Sequence, residues 1–213
     1  MNKRNVELAR KIVNRDLRKD NFVLREKLTF VVQSNQKNYE ILQKFNDVGD
    51  RILKCADLRS LVLETSEMIR KEFAISAVTF CLDRRFEKYL GKQKVENGEL
   101  NDALFERLFY MDREKLAEMR GASGLPILRG DLEHGSVDHF GFRLFRRVKS
   151  EAIVPLFHLG DNIGTLNLGC NTPSRYRSGT PVDFLTQMAK ILSLTISIHE
   201  LKSQLNDHVK NVN

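Results

Sequence analysis

Apolar positions follow a helical period for about the first fifty residues, alternate as strands do through the middle of the chain, and return to a helical period at the end. Val6, Leu8, Ile12, Val13 and Leu17 predict a short amphipathic helix that ends near residues 18–21, where Asp20 is placed to cap the next one. From there Leu24, Leu28, Val31, Asn35, Asn38, Leu42, Phe45, Gly49 and Ile52 keep a 3-4-3-4 spacing, the pattern of a coiled-coil seam. A polar residue in such a seam lowers stability but restricts register and strand number, so Asn35 and Asn38 are expected to specify a dimer. The alternative is a surface helix on the core, although a helix of about 48 Å is too long for one small domain to cover. The first 54 residues hold no proline and a single glycine, Gly49, so little interrupts a helix there.

Asp57 is placed to cap a helix whose apolar side carries Leu58, Leu61, Val62, Met68, Ile69 and Phe73. Residues 76–82 alternate as a strand, with Val78, Phe80 and Leu82 on one face and Ala77, Thr79 and Cys81 on the other. Both faces are apolar enough to predict a central strand covered on both sides. Gly91 and Gly98 flank a polar segment, and Leu104, Phe105, Leu108 and Phe109 predict a helix over 100–116. Residues 125–128 form a short strand candidate, and 130–141 is the most polar and least periodic stretch. Two alternating runs, 150–157 and 163–168, are joined by Gly160-Asp161-Asn162 and predict a hairpin. Thr180 as N-cap, Pro181 at the first helical position and Asp183 in the first turn then open a closing helix. Phe184, Leu185, Met188, Ile191, Leu192 and Ile196 face the sheet, and Leu201, Leu205 and Val209 carry the helix beyond the core. The expected division is a helical or coiled-coil extension over 1–54, a domain over 55–200, and a helical extension over 201–213.

Charge changes the picture mainly at the N-terminus. The net charge is +7, and the first thirty residues hold nine basic residues against four acidic ones. Such a basic arm suits an anionic surface, either nucleic acid or lipid. The apolar face of Val6, Leu8, Ile12 and Val13 is too small for a membrane-surface helix. No apolar run approaches the length of a membrane span, and no apolar signal-peptide core follows the charged start, which predicts a cytoplasmic protein. Cys55, Cys81 and Cys170 are widely spaced and are expected to be reduced packing residues.

Three segments carry a resemblance when taken in order. Ser150-Glu-Ala-Ile-Val-Pro-Leu, Asn162-Ile-Gly-Thr-Leu-Asn-Leu-Gly and Ser174-Arg-Tyr-Arg-Ser-Gly-Thr-Pro-Val-Asp-Phe-Leu resemble the corresponding segments of a bacterial GAF-like family known as DUF family 484. Order and spacing are more specific than any one segment, and the match covers the second half of the chain. In that family a helical segment precedes the GAF-like domain; it is expected to be shortened here. The resemblance implies an α+β fold: a GAF-like domain with a six-stranded antiparallel sheet flanked by helices, a pocket on the other side, and a long N-terminal helix in front. It implies no known activity and names no cofactor.

On that fold the candidate pocket lies between the sheet and residues 105–145. Phe80, Phe109, Phe140, Phe142 and Phe145 would line it, with Arg143, Arg146 and Arg147 as anion partners near the rim. The bland alternative makes these phenylalanines core and these arginines a solvated edge. The Asn-Lys-x-x-Asp motif of GAF domains that bind cyclic nucleotides is not found. Asp131, Glu133, His134, Asp138 and His139 form the one constellation with metal-ligand chemistry, yet the spacing matches no regular metal scaffold and no metal is expected. Ser136, Asp138 and His139 lie too close in sequence to be read as a triad. Redox chemistry by Cys81 and Cys170 would need thiols near one another in an electropositive, accessible setting.

Two functional readings follow. The first is a non-enzymatic sensory or regulatory module: a homodimer held through its terminal helices that binds an unidentified small molecule and passes the signal to a protein partner. The second is an interaction or nucleic-acid accessory protein that uses the basic N-terminal helix, with no ligand in the GAF-like domain.

Overall fold

The structure is a computed structural model that describes residues 3–90, 104–119 and 124–212, with side chains described from residue 18 to residue 209. The polar segment between Gly91 and Gly98, and the start of the helix predicted over 100–116, lie outside the described residues. So do the side chains of Val6, Leu8, Ile12, Val13 and Leu17. The chain divides into two compact units, Met1–Lys44 and Phe45–Asn213.

Helix α1 runs unbroken over Lys3–Leu53. The break expected near residues 18–21 does not occur. Asp20 has the chemistry of a cap, but without proline or glycine before Gly49 nothing removes the i→i−4 ladder, and the helix passes through. In the first unit α1 is the whole structure, and its apolar residues Leu24, Leu28, Val31 and Leu42 are all exposed.

The second unit begins with the end of α1, where Phe45, Val48 and Ile52 are buried. Helix α2 (Leu58–Glu72) starts as its sequence predicts, with the Asp57 carboxylate accepting from the Ser60 amide at 2.7 Å. Strand β1 (Ala77–Asp83) is buried along its whole length. The short helix α3 (Glu87–Leu90) follows. Beyond the undescribed stretch come β2 (Leu108–Met111), α4 (Arg113–Glu118), β3 (Ile127–Arg129), α5 (Val137–Leu144), β4 (Ser150–His158), β5 (Asp161–Cys170) and α6 (Asp183–Val212).

Among the described residues the sheet has five strands, not six, in the order β2-β1-β5-β4-β3. Nor is it wholly antiparallel, because β1 and β2 pair in parallel from Phe80↔Leu108 to Asp83↔Met111. Residues 108–111 were expected to be helical. The Leu104/Leu108 and Phe105/Phe109 pairs fit a helical period, but Leu-Phe-Tyr-Met also suits a strand, and pairing with β1 decides it. The polar stretch 130–141 likewise contains the start of α5 rather than loop alone.

The hairpin turn falls at Leu159-Gly160, one residue earlier than expected, and both residues have positive φ, 49° and 87°. That is the twist a two-residue hairpin requires. Thr180 does not cap α6. Its hydroxyl donates to the Arg177 carbonyl at 2.8 Å, and the first helical bond is Thr186 N–H to the Val182 carbonyl. The helix therefore opens at Asp183.

The sheet separates two layers. Val78, Phe80 and Leu82 of β1, Val154 and Leu156 of β4, and Leu166 and Leu168 of β5 pack with α2 and α6 residues such as Leu61, Val62, Leu192 and Ile196. Burying one such side chain fully stabilises the fold by about 1.5–3 kcal/mol. The opposite face carries Ala77, Thr79 and Cys81 of β1, Ile153 of β4, and Thr165, Asn167 and Gly169 of β5, and it is covered by α4 and α5.

Candidate functional site

The face beneath α5 is unusual for a core layer because it is lined by polar groups. Thr79 and Asn167 are directly paired across β1 and β5, and Thr165 is two residues from Asn167 on the same face. All three are fully buried. Thr165 Oγ1 donates to Asn167 Oδ1 at 2.8 Å, while Asn167 Nδ2 reaches Thr79 Oγ1 at 3.3 Å and Cys81 Sγ at 3.2 Å. The network then crosses to α5. Thr79 Oγ1 donates to the His139 carbonyl at 2.5 Å, and Cys81 Sγ lies 3.5 Å from the Asp138 carbonyl.

Helix α5 is brought this close by glycine. A β-carbon on Gly169 would stand 2.6 Å from Val148 Cγ2 and 2.9 Å from Phe140 Cε1, so only the bare backbone of β5 admits the ring. Within α5, Gly141 takes φ 61°, ψ 170° and breaks the helical course, which lets Phe140 turn into the layer while Phe142 turns out.

His139 itself is 5% exposed, and neither ring nitrogen has a hydrogen-bond partner among the described residues. Burial pushes its pKa down to about 4, with the Arg129 guanidinium adding to the effect and Asp138 opposing it. At neutral pH the ring is therefore uncharged, offering one donor and one acceptor that no described residue satisfies. Glu151, opposite Arg129 across β3 and β4, is 1% exposed; one carboxylate oxygen pairs with Arg129 at 2.7 Å and the other accepts from the Ser136 amide at 3.1 Å. That bond holds the start of α5 to β4.

The sequence-derived pocket residues do not form one group. Phe109 and Phe140 lie on the α5 face, and Phe145 packs beside Phe140. Phe80 lies on the opposite face with α2 and α6. Phe142 is 83% exposed and stacks edge-on against Phe145. Arg143 is exposed and pairs with Glu106, and Arg146 stands over the Phe145 ring; Arg147 is exposed too. Thr79, Asn167 and Glu151 were missed. Their signal was present as polar residues alternating with apolar ones inside strands, but only the strand register shows that they meet.

The loop constellation is dispersed among other partners. Asp131 pairs with Arg177, Asp138 with Lys115, and His134 Nδ1 lies 3.2 Å from the Gly135 carbonyl. Among the described residues no group of three or more His, Cys, Asp or Glu side chains could hold a metal. Cys81 and Cys170 face opposite sides of the sheet, and Cys81 is paired with Thr165, five residues from Cys170 along β5, about 17 Å of strand. Burial pushes the Cys81 thiol up to about 12. For Cys170, burial raises the pKa, but hydrogen bonds with Thr172 and Ser76 and the Arg175 charge together bring the net shift downward.

Among the seam residues, Phe45 is buried with its ring centroid 5.7 Å from that of Phe184, so it belongs to the core of the second unit. Leu24, Leu28, Val31, Asn35, Asn38 and Leu42 are exposed. Helix α6 carries a second apolar stripe, Leu194, Ile198, Leu201 and Leu205, at 4-3-4 spacing and exposed to solvent. No helix among the described residues is long and apolar enough to cross a membrane.

The chain belongs to the protein family of unknown function DUF484, whose profile matches residues 2–200. No curated protein matches it by sequence. Among solved structures it is similar to the GAF domain of a phosphoenolpyruvate-protein phosphotransferase from Coxiella burnetii, at 12% identity and TM-score 0.53, covering 78% of this chain and 98% of that one. It is similar also to the free methionine-R-sulfoxide reductase of Neisseria meningitidis, at 16% identity and TM-score 0.51, covering 74% and 89%. A third is a GAF domain from Pseudomonas syringae pv. tomato assigned to a sensor histidine kinase, at 13% identity and TM-score 0.50, covering 82% and 99%. These likenesses establish a GAF-like fold.

Proposed function

Starting from this membership, we propose that the protein is a non-enzymatic GAF-like regulatory module. A small molecule binds on the α5 face of the sheet, the protein dimerises through its terminal helices, and the helices pass the signal to a protein partner. The observation that carries this reading is His139. A buried imidazole with both nitrogens unpaired among the described residues is held at a cost, and a ligand that accepts from one nitrogen and donates to the other removes it. The Gly141 break and the narrow contact at Gly169 make α5 the element that such a ligand displaces. A ligand then shifts the protein between two arrangements by its preference for one.

Two exposed seams support dimerisation, Leu24 to Leu42 on α1 and Leu194 to Leu205 on α6. The separation of Cys81 from Cys170 supports the non-enzymatic part of the reading, because neither thiol can resolve the other. The nucleic-acid reading rests on Arg18, Lys19, Arg25 and Lys27, which are exposed along α1. Its mark is DNA affinity that falls steeply with salt.

The test is a small-molecule panel read by melting temperature and amide hydrogen exchange. The regulatory reading expects a compound that slows exchange across residues 137–144 in the wild type and not in His139→Leu. A panel in which no compound protects α5, alongside salt-sensitive DNA binding, favours the second reading.

A further inference from the structure

A second site lies on the other side of the sheet. Strand β3 ends its pairing at Ile127, opposite Ile153, whereas β4 continues to His158. Among the described residues β3 pairs with β4 only over residues 151–153, and α6 packs against β4. Thr186, Ala189, Lys190 and Ser193 stand on one face of α6, at the spacing of a single helical stripe. They face Val154, Pro155 and Phe157 of β4, and Gly124 and Pro126 close the third side around a part-open cavity of about 160 Å³. An apolar cavity of about 150 Å³ takes up one benzene molecule.

The polar groups at this cavity give its chemistry. Helical hydroxyls commonly bond back to the carbonyl four residues before them, and Thr186, Thr195 and Ser197 do so, to Val182, Ile191 and Ser193. Ser193 does not. It is 2% exposed, it lines the cavity, and its hydroxyl has no partner among the described residues. One turn earlier Lys190 is exposed at the rim, without a carboxylate partner among the described residues. Among the described residues no acidic side chain lines the cavity. A buried free donor and a cation, set on an otherwise apolar wall, fit a small ligand with an apolar body and an anionic end.

We propose that this cavity binds a benzoate-sized carboxylic acid. Its ring occupies the space between β4 and α6, and its carboxylate accepts from the Ser193 hydroxyl and the Lys190 ammonium. The site is separate from the α5 face, and its test does not depend on that reading. Since α6 runs on for nearly twenty residues past Ser193, occupancy bears directly on the helix that leaves the domain.

The experiment is titration of the 213-residue chain with benzoate, benzyl alcohol and benzylammonium, followed by amide chemical shifts. Benzoate is expected to move the amides of residues 154–157 and 186–193 and to leave α5 unmoved; benzylammonium is expected to move none of them. Ser193→Ala should weaken benzoate binding about tenfold, as for a hydrogen bond to a charged group, and Lys190→Gln about threefold, as for an exposed ion pair. Ala189→Leu fills the cavity and should abolish binding, and the two milder variants keep the test decisive if it does not fold. Equal binding of benzyl alcohol and benzoate, with both polar variants unchanged, overturns the carboxylate assignment. Absence of shifts at millimolar benzoate overturns the site.

Discussion

Thr79 on β1 and His139 on α5, sixty residues apart in sequence, are joined by a hydrogen bond of 2.5 Å from the threonine hydroxyl to the histidine carbonyl. The same hydroxyl lies 3.3 Å from Asn167 Nδ2, so one buried oxygen links both strands to the covering helix. Thr79→Val keeps the shape and deletes the oxygen, leaving a carbonyl and an amide without it. The expected loss is about 1–3 kcal/mol in denaturant unfolding, with faster amide exchange across α5 than across α2. Equal loosening of both helices would show that the bond does not hold α5 in particular.

His139 makes stability depend on pH. Its pKa is about 4 in the folded protein against 6.5 for the ordinary side chain, so between those values the unfolded chain binds more protons. Stability is then complete above about pH 6.5 and is lost as pH falls toward 4, by about 3 kcal/mol at the most. His199, shifted down by burial and by Lys202, adds in the same direction. His139→Leu should flatten most of this slope and cost little at pH 7, because no side-chain hydrogen bond among the described residues is lost. An unchanged slope between pH 4 and 6.5 in that variant would place the dependence elsewhere.

Glu151 and Arg129 should respond asymmetrically to truncation. The glutamate is 1% exposed and the arginine side chain 47% exposed, with 2.7 Å between them. Arg129→Ala leaves a buried carboxylate without its cation, for an expected loss of about 3 kcal/mol. Glu151→Ala frees an arginine that water can reach and leaves the Ser136 amide unpaired, for about 1–2 kcal/mol. Chemical denaturation of the two variants measures the difference; equal losses would mean that the carboxylate is not the strained partner.

The α1 seam gives a prediction in solution. Leu28 and Leu42 are exposed in the single chain, and aspartate at both positions should dissociate the proposed dimer without unfolding the second unit. Light scattering with size exclusion reads the mass and circular dichroism reads the fold. A double variant that keeps the wild-type dimer mass would remove α1 from the interface and leave the α6 stripe as the dimer contact.

Much of the second unit was legible because local signals and packing agree there. The Asp57 cap, the two-faced burial of β1 and the paired runs of β4 and β5 all follow from residue type and alternation. Strand β2 was not legible, since Leu108–Met111 satisfies a helical spacing as well as a strand and is decided by parallel pairing with β1. Alternation alone already put Phe80 with Val78 and Leu82, on the face away from Cys81, and thus away from Phe140. The polar network needed register. Thr79 and Asn167 are 88 residues apart, and only the β1–β5 pairing sets them opposite each other. His139 was visible as a residue type in a polar stretch, whereas its burial comes from the α5 break at Gly141 and the bare backbone of Gly169.

The most direct test of the regulatory reading is mass spectrometry of freshly purified protein, wild type and His139→Leu, under native and then denaturing conditions. The account predicts a wild-type dimer carrying a small added mass that leaves on denaturation and is missing from His139→Leu. A bare wild-type polypeptide, or an added mass that His139→Leu retains in full, would contradict it.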